Sequence, residues 1–191
     1  MKKVLFTLGL LLLCVTFASA QVSKPFSAYV GGGLSLPQGD YADFYKTGYH
    51  GMGSIGFGFM PMLQGLGKVE YHSFPVDADL VSNDISVIMY GLDAKLSPSM
   101  PAAPIKPFAL AGIGLATLKT DITLDLSGLG TGYAPVDVGT AQTTEFYYEI
   151  GGGFEMKATP SLNLFVMARY ITVTNSLQDF NYLPVTVGLK F

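Results

Sequence analysis

Nine charged residues stand at alternate positions within otherwise apolar segments: Lys68, Glu70, Asp93, Lys95, Glu145, Glu149, Glu155, Lys157 and Arg169. Period two is the strand period, and it places each of these charges on one face of its segment. An unpaired charge in a narrow interior of low dielectric is costly, so these cations and carboxylates are expected to pair with one another. Such a set could form a structural plug of salt bridges or line a narrow path for ions. The structural plug is the simpler reading.

The remaining reactive side chains are sparse. His50 and His72 are the only histidines and fall on the same face of successive segments, so a His–His or a His72–Glu70 contact is expected. Zinc would need further ligands around them. Ser73 follows His72, but alternation turns it to the opposite face, away from any general base. Gly31-Gly32-Gly33 and Gly151-Gly152-Gly153 lack the strand–loop–helix setting and the following Lys-Ser/Thr of a nucleotide loop. Asp121, Asp125 and Asp137 are not spaced as a calcium loop. No catalytic residue, metal site or cofactor is expected.

The composition fits a membrane wall better than a soluble domain. Only 13% of the 191 residues are charged, about half the usual share, and mean hydropathy is +0.39. A net charge of −3 argues against a nucleic-acid partner, which would call for a basic face. The single cysteine, Cys14, excludes a disulfide scaffold.

Residues 1–20 have the form of a cleaved signal peptide. Lys2 and Lys3 precede the apolar run Val4 to Val15, and Ala18-Ser19-Ala20 supplies the small residues before Gln21. Ala18, Ala20 and Gln21 mark the expected cleavage site. Leu13 before Cys14 does not suit lipidation. Residues 21–191 are then one domain.

Beyond Gln21 no apolar run is long enough for a membrane helix. Eight alternating segments appear instead: Phe26–Leu36, Tyr49–Met60, Leu63–Phe74, Ile85–Leu96, Lys106–Leu118, Glu145–Lys157, Leu162–Thr174 and Leu183–Phe191. Each is close to the roughly 9–11 residues that a tilted strand needs to cross lipid. Even-numbered connections are mostly short, and odd-numbered ones are longer and polar. Lys119–Thr144 is the longest, and its Ile122, Leu124, Leu126 alternation suggests a hairpin extending above the membrane. Backbone groups in lipid must all be paired, so alternating strands span it only as a closed barrel.

The expected fold is all-β, an eight-stranded antiparallel transmembrane barrel with up-and-down order and both termini periplasmic. The outward face carries bulky residues such as Phe57, Tyr90, Tyr148, Phe154 and Tyr170. Tyr71 and Phe146 join them in interfacial belts, with Phe108 and Phe191 toward the periplasmic rim. Beyond Lys106 the fifth segment carries no charge on either face. There Phe108, Leu110, Gly112, Gly114, Ala116 and Leu118 are assigned outward, and Pro107, Ala109, Ala111, Ile113 and Leu115 inward. A soluble lipocalin-like carrier also alternates, but would place its charges outside.

The last strand carries a resemblance. Leu183, Val185, Val187 and Leu189 alternate up to a terminal aromatic, Phe191. With Pro107 to Gly114 and Tyr147 to Phe154, this resembles the small bacterial outer-membrane barrels of the OmpA-like or OmpX-like kind. The resemblance implies location in the bacterial outer membrane, among its lipid and lipopolysaccharide. It also implies that the barrel assembly machinery reads the C-terminal residues as a signal. Members of such families are structural, adhesive or protective. The expected function is therefore a structural or surface-interaction role, with an extracellular ligand met through surface loops. The alternative is a narrow porin-like channel.

Overall fold

A computed structural model describes residues 26–39, 42, 45–75, 81–100, 103–124, 136–175 and 179–191. The expected signal peptide, its cleavage site and Cys14 lie outside the described residues. Eight strands follow one another: β1 (Phe26–Pro37), β2 (Gly48–Met60), β3 (Leu63–Phe74), β4 (Val81–Leu96), β5 (Ile105–Leu124), β6 (Val136–Lys157), β7 (Asn163–Val173) and β8 (Phe180–Lys190). Every neighbouring pair is antiparallel, and β1 pairs with β8, so the sheet closes on itself. Closure runs from Tyr29↔Lys190 to Pro37↔Tyr182. It is completed at the lower end by Phe191 N–H donating to the Ala28 carbonyl at 2.9 Å.

Alternation decides which side chains meet lipid. On β2, Tyr49, Gly51, Gly53 and Ile55 are exposed while His50, Met52 and Ser54 are buried. Ile55 and Leu92 are 68% and 69% exposed, yet Lys95 is 2% exposed and Arg169 1%. That is the inverse of a water-soluble barrel and the pattern that hydrocarbon requires. No described helix is long and apolar enough to cross a membrane; the strands supply the crossing.

The fifth strand is opposite to the sequence expectation. Phe108, Leu110, Gly112 and Ala116 are buried inside, whereas Ala109, Ala111, Ile113 and Leu115 face out. Residues directly opposite in an antiparallel pair share a face. Lys95 pairs with Leu110, Asp93 with Gly112, and Glu149 with Gly112 from the other side. The charges on β4 and β6 must be inside, so they carry Leu110 and Gly112 in with them. The size of the β5 side chains, the only cue within that segment, has no vote against two neighbours' charges. Phe108 therefore leaves the expected lipid belt for the interior, and Lys106 turns inward with it.

Strand lengths are uneven. β5 has 20 residues and β6 has 22, against 11 each for β7 and β8. Pairing of β5 with β6 continues from Lys119↔Gln142 out to Leu124↔Val136, with a register shift between Ile122 and Thr123. Meanwhile β7 leaves β6 at Tyr147↔Val173. Much of the long fifth connection is thus a β ribbon, and residues 125–135 at its tip lie outside the described set.

Several glycines let neighbouring backbones approach. At Gly33 an added Cβ would overlap the Val185 carbonyl on β8, at the closing seam. Gly33→Ala is expected to weaken closure by about 1–3 kcal/mol, the usual cost of overpacking. Its heat-modifiable band on unheated gels should convert to the unfolded mobility at lower temperature than wild type. An unchanged conversion temperature would show that the seam has slack.

Candidate functional site

The barrel interior is layered. Along β3 the inward residues read Leu66, Lys68, Glu70, His72 and Phe74 from the lower end upward. On β7 they read Phe165, Met167, Arg169, Ile171 and Val173. Apolar layers therefore bracket a band of charge. The lower layer holds Tyr29, Met52, Leu66, Phe108, Leu110, Phe165 and Met167. The upper holds Phe74, Val87, Met89, Tyr147, Ile171, Val173, Phe180 and Tyr182.

Arg169 is the centre of the charged band. Its Nη2 donates to Glu70 Oε2 at 3.0 Å, and its Nη1 contacts Glu70 Oε1, so the guanidinium grips the carboxylate with both forks. The same Nη1 reaches Glu149 Oε2 at 3.4 Å. Lys68 closes the other side: it contacts Glu149 and lies 3.5 Å from Glu70 and 3.4 Å from Asp93. Three carboxylates face two cations here, all buried. Strands β3, β4, β6 and β7 contribute one or two residues each, so the cluster ties opposite parts of the wall together.

A polar chain leads from this cluster toward β1 and β8. His72 Nε2 lies 3.1 Å from Glu70 Oε2, and its Nδ1 lies 2.9 Å from Ser35 Oγ. Ser35 Oγ is also 3.1 Å from His50 Nδ1, and His50 Nε2 is 2.8 Å from Thr186 Oγ1. The two imidazoles stack with centroids 5.0 Å apart, as the register pair His50↔His72 dictates. Ser35, His72 and Glu70 have the connectivity of a hydrolytic triad. However, Ser35 and His72 are each 0% exposed, and Phe74 and Tyr182 pack on the His72 ring. A substrate has no approach, and the chain serves to satisfy buried polar atoms.

A second ionic group sits below the lower apolar layer. Glu155 is contacted by Lys95 and receives Lys190 Nζ at 2.9 Å. Lys95 also lies 4.2 Å from the Phe108 ring centroid and 4.8 Å from that of Tyr29, where ring quadrupoles favour a cation.

Of the nine charges read from sequence, Lys68, Glu70, Asp93, Glu149 and Arg169 meet in the central cluster, and Lys95 and Glu155 form the lower pair. Glu145 stands apart near the upper end, half-buried, taking a hydrogen bond from Thr143 Oγ1 at 3.1 Å. Lys157 is exposed at the lower rim. Sequence reasoning passed over Ser35, Thr186, Tyr29 and Lys190. The parity of Lys190 on β8 already placed it inside; the hydroxyls gave no signal of their own. No group of three or more His, Cys, Asp or Glu able to hold a metal occurs among the described residues.

A closed eight-stranded wall, apolar outside and ionic within, defines an integral barrel of the bacterial outer membrane. The chain belongs to the outer membrane protein beta-barrel domain family, whose model matches residues 7–191. Solved structures agree in fold. Neisserial surface protein A is 16% identical with a TM-score of 0.63, over 87% of this chain and 96% of that one. Ail, the attachment invasion locus protein of Yersinia pestis, is 12% identical with a TM-score of 0.51, over 87% and 97%. OprG from Pseudomonas aeruginosa is 13% identical with a TM-score of 0.51, over 88% and 97%. Comparison with curated protein sequences finds no match.

Removing one partner from a buried ion pair is far more damaging than removing both. Arg169→Met is expected to destabilise the barrel by about 3–5 kcal/mol, because Glu70, Glu149 and Asp93 are then left with Lys68 as their one cation in the cluster. Adding Glu70→Gln to it should recover part of that loss. Urea unfolding of refolded protein in detergent, read as a double-mutant cycle, tests this. Additive losses would mean that the two side chains are not coupled.

Proposed function

We propose that this protein is a membrane-anchored surface-interaction protein whose barrel holds a contact ribbon outside the cell. The observation that carries this reading is the mismatch of strand lengths. From Val136 to Glu145, β6 pairs with β5 on one side and has no β7 partner on the other among the described residues. That stretch rises beyond the β7–β8 side of the wall by roughly ten residues of strand, at about 3.4 Å each, and β4 climbs with β5 out to Val81↔Leu124. The side chains of 141–144 are exposed on it. Loops that protrude from a rigid scaffold are the usual place for binding. The names of two fold neighbours, a surface protein and an attachment invasion locus protein, are in keeping with this reading.

The interior charges act, in this reading, as a structural plug. What speaks against an ion path is the pair of apolar layers above and below the cluster. An eight-stranded barrel has room only for its own side chains or one small ligand. The alternating C-terminal residues Leu183, Val185, Val187, Leu189 and Phe191 would serve as the signal to the barrel assembly machinery. The exposed wall would meet outer-membrane lipid and lipopolysaccharide, residues 1–20 would direct export, and Ala18-Ser19-Ala20 would mark the cleavage site before Gln21.

Joining Lys119 to Gln142 through an Asn-Gly turn removes the ribbon at a paired position and keeps the hairpin register. The shortened protein should still reach the outer membrane with heat-modifiable mobility. Cells displaying it should lose most adhesion to immobilised extracellular-matrix proteins; undiminished adhesion would refute the contact role. In planar bilayers the wild-type protein should show no discrete openings, and reproducible unitary conductance would favour the narrow channel instead.

A further inference from the structure

The lower mouth of the barrel opens into a cavity of about 620 Å³. That size is typical of small-molecule pockets. Its charge is one-sided. Lys106 on β5, Lys157 on β6 and Lys190 on β8 line it, with Lys95 just above at the β4 position paired with Gln64. The one side-chain carboxylate lining it among the described residues is Glu155, and both Lys95 and Lys190 already engage it; the backbone carboxylate of Phe191 stands at the rim. Lys106 and Lys157 are exposed at the same opening, and no carboxylate lies within salt-bridge distance of either among the described residues. Four lysines against Glu155 and the Phe191 backbone carboxylate leave a local positive excess that the central cluster, balanced toward carboxylates, does not share.

The hydrogen bonds at this mouth run in one direction. Lys95 Nζ donates to Tyr29 Oη at 3.1 Å, and Tyr29 Oη–H donates to Gln64 Oε1 at 2.7 Å. Gln64 Nε2 then donates to Ser27 Oγ at 2.5 Å. Each acceptor along the relay is filled from the interior side. Within this relay Ser27 Oγ acts only as an acceptor, so its proton is not used there, and Ser27 lines the vestibule. The mouth thus offers donors from β1, β5, β6 and β8, spread round a space rather than paired in one plane.

We propose that this vestibule is a binding site for a phosphate-bearing ligand. A carboxylate would use two coplanar donors, whereas a phosphate group has several oxygens and up to two negative charges to meet dispersed cations. A soluble phosphate ester and the headgroup of a periplasmic-leaflet phospholipid share this chemistry. Access favours the soluble source, because the lysines face the barrel interior. Phe26 and Phe191, 66% and 57% exposed, stand at the rim between the mouth and the lipid. This site lies at the opposite end from the ribbon and does not depend on the contact role.

The test titrates sodium tripolyphosphate into the refolded full chain in neutral detergent by calorimetry. Saturable one-site binding is expected. The Lys106→Gln/Lys157→Gln variant should retain heat-modifiable mobility and bind at least about tenfold more weakly, as expected for losing two charge-assisted contacts. The Lys46→Gln/Lys119→Gln variant, altered at the far end, should bind as wild type. No saturable binding would overturn the proposal. So would equal weakening by both variants, which would mean general charge attraction. Repeating the titration in nanodiscs with and without phosphatidylglycerol separates the sources. Equal affinity supports a soluble ligand, and weakening through competition supports the lipid headgroup; either keeps the phosphate chemistry.

Discussion

Every backbone N–H and C=O within hydrocarbon needs a partner from the same protein, and that requirement shapes the whole molecule. It forces the first and last strands to meet, as Gly31↔Gly188 and Leu34↔Val185 do. Once the sheet is closed, the alternation of each strand fixes two surfaces at once. Lipid contact claims one face, so everything polar must share the narrow lumen. The ionic band around Arg169 is the consequence: charges confined together at that density persist only as pairs with satisfied hydrogen bonds.

The layered interior shows how the wall and the lumen constrain each other. Lumen space is scarce, and glycines on the inner face let large side chains lie flat across it. An added Cβ at Gly91 or Gly114 would collide with Tyr147, and one at Gly112 would collide with Asp93. Tyr147 and Tyr182 fill the upper layer, and the Tyr182 hydroxyl donates to the Met89 sulfur at 2.7 Å. These contacts join residues far apart in sequence, so the packing specifies strand register as well as volume.

Most of the architecture could be read from the sequence because the strand period is two and charge is unambiguous. Lys68, Glu70, Asp93 and Arg169 each declare which face is inside. β5 failed for want of such a residue between Phe108 and Leu118. Its faces differ only in size, and its orientation is set by Lys95, Asp93 and Glu149 on neighbouring strands. The periodicity within β5 holds no trace of them. The extended ribbon was only half visible: Ile122 and Leu124 hinted at it, but Gln142 and Thr143 are polar because that stretch stands in water. The His50–His72 and His72–Glu70 contacts were legible from strand parity, but the hydroxyl partners Ser35 and Thr186 were not. Hydroxyl partners depend on which strands become neighbours, and β1 meets β8 only after the ring shuts.

The central cluster also has a bearing on how the wall is put together. Glu70 and Arg169 lie 99 positions apart in the chain, and His50 and Thr186 lie 136 apart. Contacts of such span form late and slowly, since the loop entropy must be spent before they give anything back. A half-built sheet holding β1 to β4 would carry Lys68 without Glu149, Glu70 without Arg169 and His50 without Thr186. Inserting it alone into hydrocarbon would strand those charges, so stepwise entry of single hairpins is disfavoured. The buried ions thereby act as a checkpoint on assembly: crossing the bilayer becomes favourable only when the two halves of the chain arrive together.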